Sequence, residues 1–348
     1  MWLSAFAALG FLGIAGWWAR RWWWAPAGHA VAACGTAPEV ARDSSDAMPD
    51  AQALREINAR IGERLWQLAY GAPPVAPALE KPHAEMRVAI VARLEPEKLN
   101  PDYLPRRPTL MQQLMRVVND PDAQADKLSR MIAHDPVLGA DVLRIANSSL
   151  YRVTPEPVES IQRAIVVCGL DGMRGILATA MVRPVFRASG KNFPRLPRLL
   201  WQRTERATRA AELYALKICP QDRFEAQLAV LLSALGPLVA HSAALDAYAQ
   251  RPRLKPDASL LVELTRSVAP SMSVCIAQAW GLSQRILSAL SRAASGPLAS
   301  AVTVGELLGT LSTLEAHGAL SESDEPAWAE LGLDEASIRD IRAQISRP

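Results

Sequence analysis

The stretch LPRRPTLMQQLMRVVNDPDAQADKLSRMIAHDPVLGADVLRIANSSLYR, residues 104–152, decides the fold class. Its apolar residues recur at helical spacing, and its interruptions, Asn119-Asp120-Pro121 and Asp135-Pro136, are turn residues. Asp135 is placed to cap a helix whose first residue is Pro136, and that helix closes on the polar pair Asn147-Ser148. From Thr109 onward the same grammar repeats. Further breaks are expected at Pro155 to Pro157, Gly169 to Gly172, Gly190 to Pro197, Pro220, Gly236-Pro237, Pro252 to Pro256, Pro270, Gly281 and Gly296-Pro297. No alternating apolar and polar run bounded by turn residues reads as a strand, so an all-α fold is expected. Thr109 and Asp171 are candidate N-caps, and Gly169 and Gly281 can take the left-handed conformation that ends a helix. The Ala-rich stretches ATRAAELYALKI and AQLAVLLSAL allow close helix packing.

Toward the amino terminus, Leu54, Ile57, Ile61, Leu65 and Leu68 mark one amphipathic helix, ended by Pro73, Pro74 and Pro77, and a second helix covers Met86 to Leu94. Residues 25–50 are rich in Ala, Pro, Gly, Asp and Ser without apolar periodicity, and read as a flexible linker. Before them, Trp2 to Ala19 run without a charge; at 1.5 Å per residue this helix is about 27 Å long, close to the hydrocarbon thickness of a bilayer. Arg20 and Arg21 follow, set among Trp17, Trp18, Trp22, Trp23 and Trp24, which suits anchoring at a headgroup boundary. The expectation is a single transmembrane anchor over 1–24 in the inner membrane, with the rest of the chain cytoplasmic. Three other readings are a cleaved signal peptide, a lipoprotein modified at Cys34, and a buried helix of a soluble body. The arginines follow the apolar run, which disfavours the first. Pro26, Gly28 and His29 spoil the second, and the lack of a polar face weighs against the third.

The 348 residues carry 38 Lys and Arg against 35 Asp and Glu, a near balance that excludes a disordered polyelectrolyte or a histone-like nucleic-acid binder. The balance hides a polarity. Residues 183–209 hold Arg183, Arg187, Lys191, Arg195, Arg198, Arg203, Arg206 and Arg209 against Glu205 alone, whereas 321–340 hold seven carboxylates against Arg339. The two segments can pair with each other, or Arg195, Arg198, Arg203 and Arg206 can present an anion-binding surface. The four cysteines, at 34, 168, 219 and 275, form no CxxC pair, and the last three sit among apolar residues as reduced core thiols.

Chemistry-bearing motifs are scarce. There is no GxxxxGK[ST] loop and no GxSxG elbow, and the glycines of GLDGMRG lack the dinucleotide-binding spacing. His134-Asp135 spells an HD pair, whose adjacent side chains can share a water-activating metal ion. Here, however, Asp135 reads as a cap at a helix break, and no second His lies at helical spacing.

Residues 104–152 resemble the opening of the HDOD domain, a relative of the HD phosphohydrolases. The resemblance rests on Pro105 and Pro108, the Asp135-Pro136-x-Leu138 turn, the LRIANSSLY box with Asn147, Ser148 and Tyr151, and the helix from Ser160 to Cys168-Gly169-Leu170. It fades but continues through Trp201 to AWGLSQRILSAL, covering roughly 100–300. It implies a multi-helical HD-like bundle; on either side of it, the residues of 51–99 read as amphipathic helices and a Pro-rich connector and those of 301–348 as an acidic helical tail. Catalytic relatives carry a His-Asp metal pair where AVLLSALGPLVAH has Ser233 and Ala234, and paired His where this chain has Ser291-Arg292-Ala293-Ala294. Alanine has no donor and a neutral hydroxyl is a poor metal ligand. The resemblance therefore implies a non-catalytic signalling module without cofactor or metal, acting through a protein partner or a small anionic ligand. The alternatives are a residual metal phosphohydrolase or cyclic-dinucleotide phosphodiesterase, and an anionic-ligand or nucleic-acid binder using 183–209; nucleic acid is the less expected partner. The motif residues Pro105, Pro108, Asp135, Pro136, Leu138, Asn147, Ser148 and Tyr151 are expected to determine the fold or to line a partner pocket.

Overall fold

In the computed structural model, the described residues are 51–346, apart from 75–77, 97–98, 101–102, 106–107, 109–110, 114–124, 134, 153, 187–191, 292, 322–326, 329–330 and 332. The readings placed on residues 1–50, on Thr109 and on His134 lie outside them. Every regular element among the described residues is helical. In chain order these are α1 (Ala51–Tyr70), α2 (Lys81–Arg93), α3 (Ala125–Ala133), α4 (Pro136–Ala146), α5 (Ile161–Phe186), α6 (Arg195–Ile218), a 3₁₀ turn (Pro220–Asp222), α7 (Arg223–Ser233), α8 (Leu235–Ala249), α9 (Ala258–Ala279), α10 (Gln284–Leu290), α11 (Pro297–Ala316) and α12 (Glu335–Ile345).

The punctuation read from the sequence holds in most places. Asp135 caps α4, its Oδ1 accepting from Val137 N at 3.0 Å and Leu138 N at 3.1 Å. Gly169, at φ 72° and ψ 170°, divides α5 into two helices across a kink, and Gly281 takes φ 65° just past α9. Asp171 lies beyond the kink, where its carboxylate takes the Arg174 guanidinium at 2.7 Å. Two expected breaks fall elsewhere. Pro237 lies in the first turn of α8, where a missing N–H costs nothing because no intrahelical acceptor exists for it. Pro270 lies inside α9, which continues because it packs along α8 and against α1, so burial outweighs the one lost hydrogen bond.

The centre of the bundle is the crossing of α6 and α11, the most extensive helix pair in the fold. It depends on absent side chains. A Cβ at Gly309 would lie 2.5 Å from Cα, Cβ and N of Ala207, and one at Gly305 would lie 2.5 Å from Ala211 Cβ and 2.8 Å from Ala207 O. The Ala-rich character of α6 thus does what it was expected to do. Around this crossing α7, α1 and α12 pack on α6 or α11, α8 pairs with α9, and α4 packs with α5. One apolar core runs from Leu54 to Ile345, so α1 and α12 belong to the same body as residues 100–300, and α11 crosses the boundary expected at 300.

Three helical stretches, Ile161–Phe186, Pro220–Ala249 and Ala258–Ala279, are long and apolar enough to cross a membrane, and most of each lies inside this body. His241 in α8 is buried between the rings of Tyr70, at 5.7 Å, and Phe193, at 6.0 Å; burial lowers its pKa to about 4, so it is a neutral core group at pH 7. Cys219 and Cys275 are buried, Cys168 is half-buried, and none of the three is in a disulfide.

The crossing yields a direct expectation. Gly309→Ala should lower stability by about 1–3 kcal/mol through overpacking. Gly62→Ala, at a helical position where a Cβ meets nothing within 4 Å, should raise it by up to about 1 kcal/mol. Urea unfolding midpoints of the two variants check both signs.

Candidate functional site

Two clusters of polar side chains organise the body. The first is the box at the end of α4. Asn147 is its C-cap, and the side-chain amide is saturated: Nδ2 donates to Leu143 O at 2.9 Å and to Val158 O at 2.8 Å, while Oδ1 accepts from Val158 N at 2.7 Å. Ser148 Oγ donates to Ile145 O at 2.7 Å. One amide therefore closes the loop from 147 to 158 while satisfying helix-end carbonyls. Tyr151 is buried, its phenol pKa raised by that burial, with the Arg209 guanidinium 5.6 Å from its ring. Arg209 in turn donates to Glu212 at 2.7 Å, and Glu212 also takes Arg223 at 2.6 Å. The box thus connects to α6 and α7 through a chain of charges. Pro105 is buried and its carbonyl accepts from Trp280 Nε1 at 2.9 Å, while Pro108 is half-buried and Leu138 buried.

The second cluster surrounds the α7–α8 junction. Ser233 ends α7 and Ala234, fully buried, is the cap before α8. Ser233 Oγ lies 2.5 Å from Glu306 Oε1 and 2.9 Å from Val230 O. Glu306 Oε2 accepts from Asn58 Nδ2 at 3.0 Å, and Oε1 lies 3.3 Å from Arg203 Nη2. Arg203 Nε donates to Thr310 Oγ1 at 3.3 Å. These groups come from α1, α6, α7 and α11, and they floor a cavity of about 710 Å³. Ser291 and Ala294 line the same cavity, and Arg55 Nη1 donates to Ala294 O at 2.6 Å across its rim. The two stretches singled out in the sequence as lacking metal ligands therefore open on one space. Glu306 was missed, although it is the lone charge between Arg292 and Glu315 in an otherwise apolar and small-residue run, which is a readable signal. Arg55 and Asn58 carried no such mark.

This donor set does not fit a resident metal ion. Its one carboxylate is already engaged by a guanidinium, an amide and a hydroxyl, and its remaining oxygens are neutral hydroxyls. Among the described residues no three His, Cys, Asp or Glu side chains converge to hold a metal.

The basic segment 183–209 does not form a single outward face. Arg195 and Arg198 are exposed, whereas Arg203 is only 7% exposed and Arg206 is half-buried, its Nη1 3.5 Å from Thr313 Oγ1. The surface expected from these four is thus halved, because α6 turns Arg203 and Arg206 toward α11. Arg183 lies 3.9 Å from Asp141 and 5.3 Å over the Trp201 ring. Burial raises the pKa of Glu205 to about 7. In the acidic tail, Asp334 caps α12 through Ser337 N at 2.6 Å, and Arg209 reaches Gln344 of α12 at 3.0 Å.

An all-α HD-like bundle with this capped Asp-Pro turn and Asn-Ser box matches one family by sequence: the HDOD domain profile covers residues 104–295, a little over half of the chain. The chain belongs to the HDOD family. Its fold is similar to an HDOD domain protein with unknown function from Geobacter sulfurreducens, at 19% identity and a TM-score of 0.51, covering 75% of this chain and 98% of that one. It is also similar to a protein from Shewanella amazonensis SB2B named as a candidate metal-dependent phosphohydrolase, at 19% identity and a TM-score of 0.48, covering 76% and 100%. No curated protein matches the chain.

Replacing Asn147 by Ala removes both ends of the loop clamp and leaves backbone groups of Val158 unpaired. The expected cost is about 1–3 kcal/mol, with hydrogen-exchange protection lost first across residues 147–158.

Proposed function

We propose that this HDOD protein is a non-enzymatic regulatory module that passes a signal to a protein partner, tethered to the cytoplasmic face of the inner membrane by residues 1–24. The observation that carries the non-enzymatic reading is the environment of Ser233. Where catalytic relatives of the family hold a His-Asp metal pair, this chain has a hydroxyl bonded to Glu306, with Arg203 at 3.3 Å supplying the positive charge beside that carboxylate. A guanidinium can neutralise a carboxylate, but it cannot lower the pKa of a water the way a bound metal does. The motif residues Asp135, Asn147 and Ser148 support the same reading: their polar atoms are used on the backbone, so they build the scaffold and offer no nucleophile or base.

A reaction on phosphate esters needs an activated nucleophile, and the cavity supplies none. The purified full-length protein should therefore carry less than one tenth of an equivalent of Fe, Mn or Zn by elemental analysis. It should also leave bis(p-nitrophenyl) phosphate and cyclic di-GMP uncleaved with Mn²⁺ added. Stoichiometric metal or metal-stimulated hydrolysis would show a phosphohydrolase instead.

The tether follows from the uncharged run 2–19 and the Trp and Arg cluster behind it. Full-length protein should sediment with membranes and resist carbonate extraction, whereas a chain beginning at residue 51 should remain in the supernatant. Full-length protein found in the supernatant would remove the anchor from this reading.

A further inference from the structure

We propose that the 710 Å³ cavity at the α7–α8 junction is a binding site for a small organic anion, with an oxyanion head held by Arg203 and Arg55 and an apolar body lying against Trp66 and Leu290. The inference rests on the non-enzymatic reading above, since it assigns to ligand binding the space that catalytic relatives give to a metal.

Size comes first. Pockets for small molecules and cofactors run from about 300 to 1,000 Å³, and this one lies inside that range. Charge comes second. Arg55, Arg203 and Arg266 line the cavity against a single carboxylate, Glu306, a formal excess of two positive charges in a recess walled partly by Leu65, Val302 and Pro237. Arg266 is ion-paired with Glu63 at 2.7 Å, which leaves an excess of one, Arg55 and Arg203 against Glu306.

Donor accounting comes third and is the most specific. A guanidinium carries five N–H donors. Arg203 is only 7% exposed; its Nε donates to Thr310 Oγ1, its Nη2 lies 3.3 Å from Glu306 Oε1 as an ion pair, and its Nη groups make no hydrogen bond among the described residues. The Nη groups open on the cavity, and a fork of guanidinium N–H groups matches the two oxygens of a carboxylate or phosphate. Arg55 spends Nη1 on Ala294 O and stands across the cavity rim. Glu306, held by Asn58 and Ser233, offsets the charge of Arg203 beside it, so the net positive charge at the head is that of Arg55, and Arg203 contributes its Nη donors. Of the wall hydroxyls, Ser273 donates to Ala269 O at 3.1 Å and Thr303 to Ala299 O at 3.0 Å, so the cationic groups open to a ligand head are Arg55 and Arg203.

Two sources of the head share this chemistry, a phosphate and a carboxylate, and the test separates them. Full-length protein is titrated calorimetrically with adenosine 5′-monophosphate and with 1-naphthoate, each against its uncharged counterpart, adenosine and 1-naphthamide. At least one anion should bind one-to-one in the micromolar range and at least tenfold more tightly than its counterpart, and which one does so identifies the head. Arg55→Met should weaken that binding at least tenfold, while the loss of its bond to Ala294 O lowers the melting temperature only slightly and leaves unfolding cooperative. The double variant Arg203→Met with Glu306→Gln, which leaves no buried charge unpaired, should abolish it. The proposal is overturned if neither anion outbinds its uncharged counterpart, or if binding survives both variants. A metal-free, inert protein that ignores both anions would sink the pocket and leave the regulatory reading standing. Cleavage of an added phosphodiester would sink the regulatory reading and, with it, the assignment of this space to a regulatory ligand.

Discussion

The close approach of α6 and α11 is the constraint from which the rest of the structure follows. Gly305 and Gly309 on one helix and Ala207 and Ala211 on the other bring the two backbones to a separation that no larger residue permits. Every other described helix is placed relative to that pair, directly or through α5, α7 and α9. The polar floor of the cavity belongs to the same contact. Glu306 lies between the two glycines, Arg203 lies one turn before Ala207, and Thr310 and Thr313 continue the α11 face that receives Arg203 and Arg206. Because small residues remove side-chain bulk from the crossing, long side chains at its edge can lie flat along the partner helix and reach its hydroxyls and carboxylate.

A buried ion pair placed there is not explained by stability alone. Moving two charges out of water costs several kcal/mol per ion, and well-packed apolar residues of equal volume often do as well or better. The cost is reduced here by extra partners: Glu306 has Asn58 and Ser233, and Arg203 has Thr310. What apolar residues could not provide is a fixed guanidinium facing an open space. The recess of about 710 Å³ beside the central crossing opens to solvent, so the Arg203 guanidinium at its wall can be reached from outside.

Local chemistry was legible in the sequence and long-range chemistry was not. The Asp135 cap, the Asn147-Ser148 closure and the glycine break at 169 each act within a few residues, so residue type and spacing were enough to name them. The Ala-rich face of α6 was readable as a close-packing surface, but its partner was not, because Ala207 and Gly309 are about a hundred residues apart in the chain. Pro270 was misread for a related reason: propensity sees one lost hydrogen bond, whereas α9 is held by two neighbours that propensity does not know. The basic segment was misread through its clustering. A run of arginines on one helix looks like a surface until its partner helix is known, and then Arg203 and Arg206 turn out to face inward.

The boundaries of the family match sharpen what the cavity means. The match covers 104–295, which contains Arg203, Ser233 and the α8–α9 wall. Arg55, Asn58 and Trp66 come from α1 before it, and Val302, Glu306 and Thr310 from α11 after it. A fragment cut to the match would lose the helix that crosses α6, the carboxylate that pairs with Arg203, and the wall that closes the recess. Family membership therefore specifies the scaffold, and the flanking helices specify what the recess holds. The first of them, α1, is fastened to the body by polar bonds, Arg55 to Ala294, Asn58 to Glu306 and Arg64 to Ala319, as well as by Leu54, Ile61 and Leu65. Two of those bonds end on groups that line the cavity, so a molecule filling that space and the seating of α1 cannot be independent of each other.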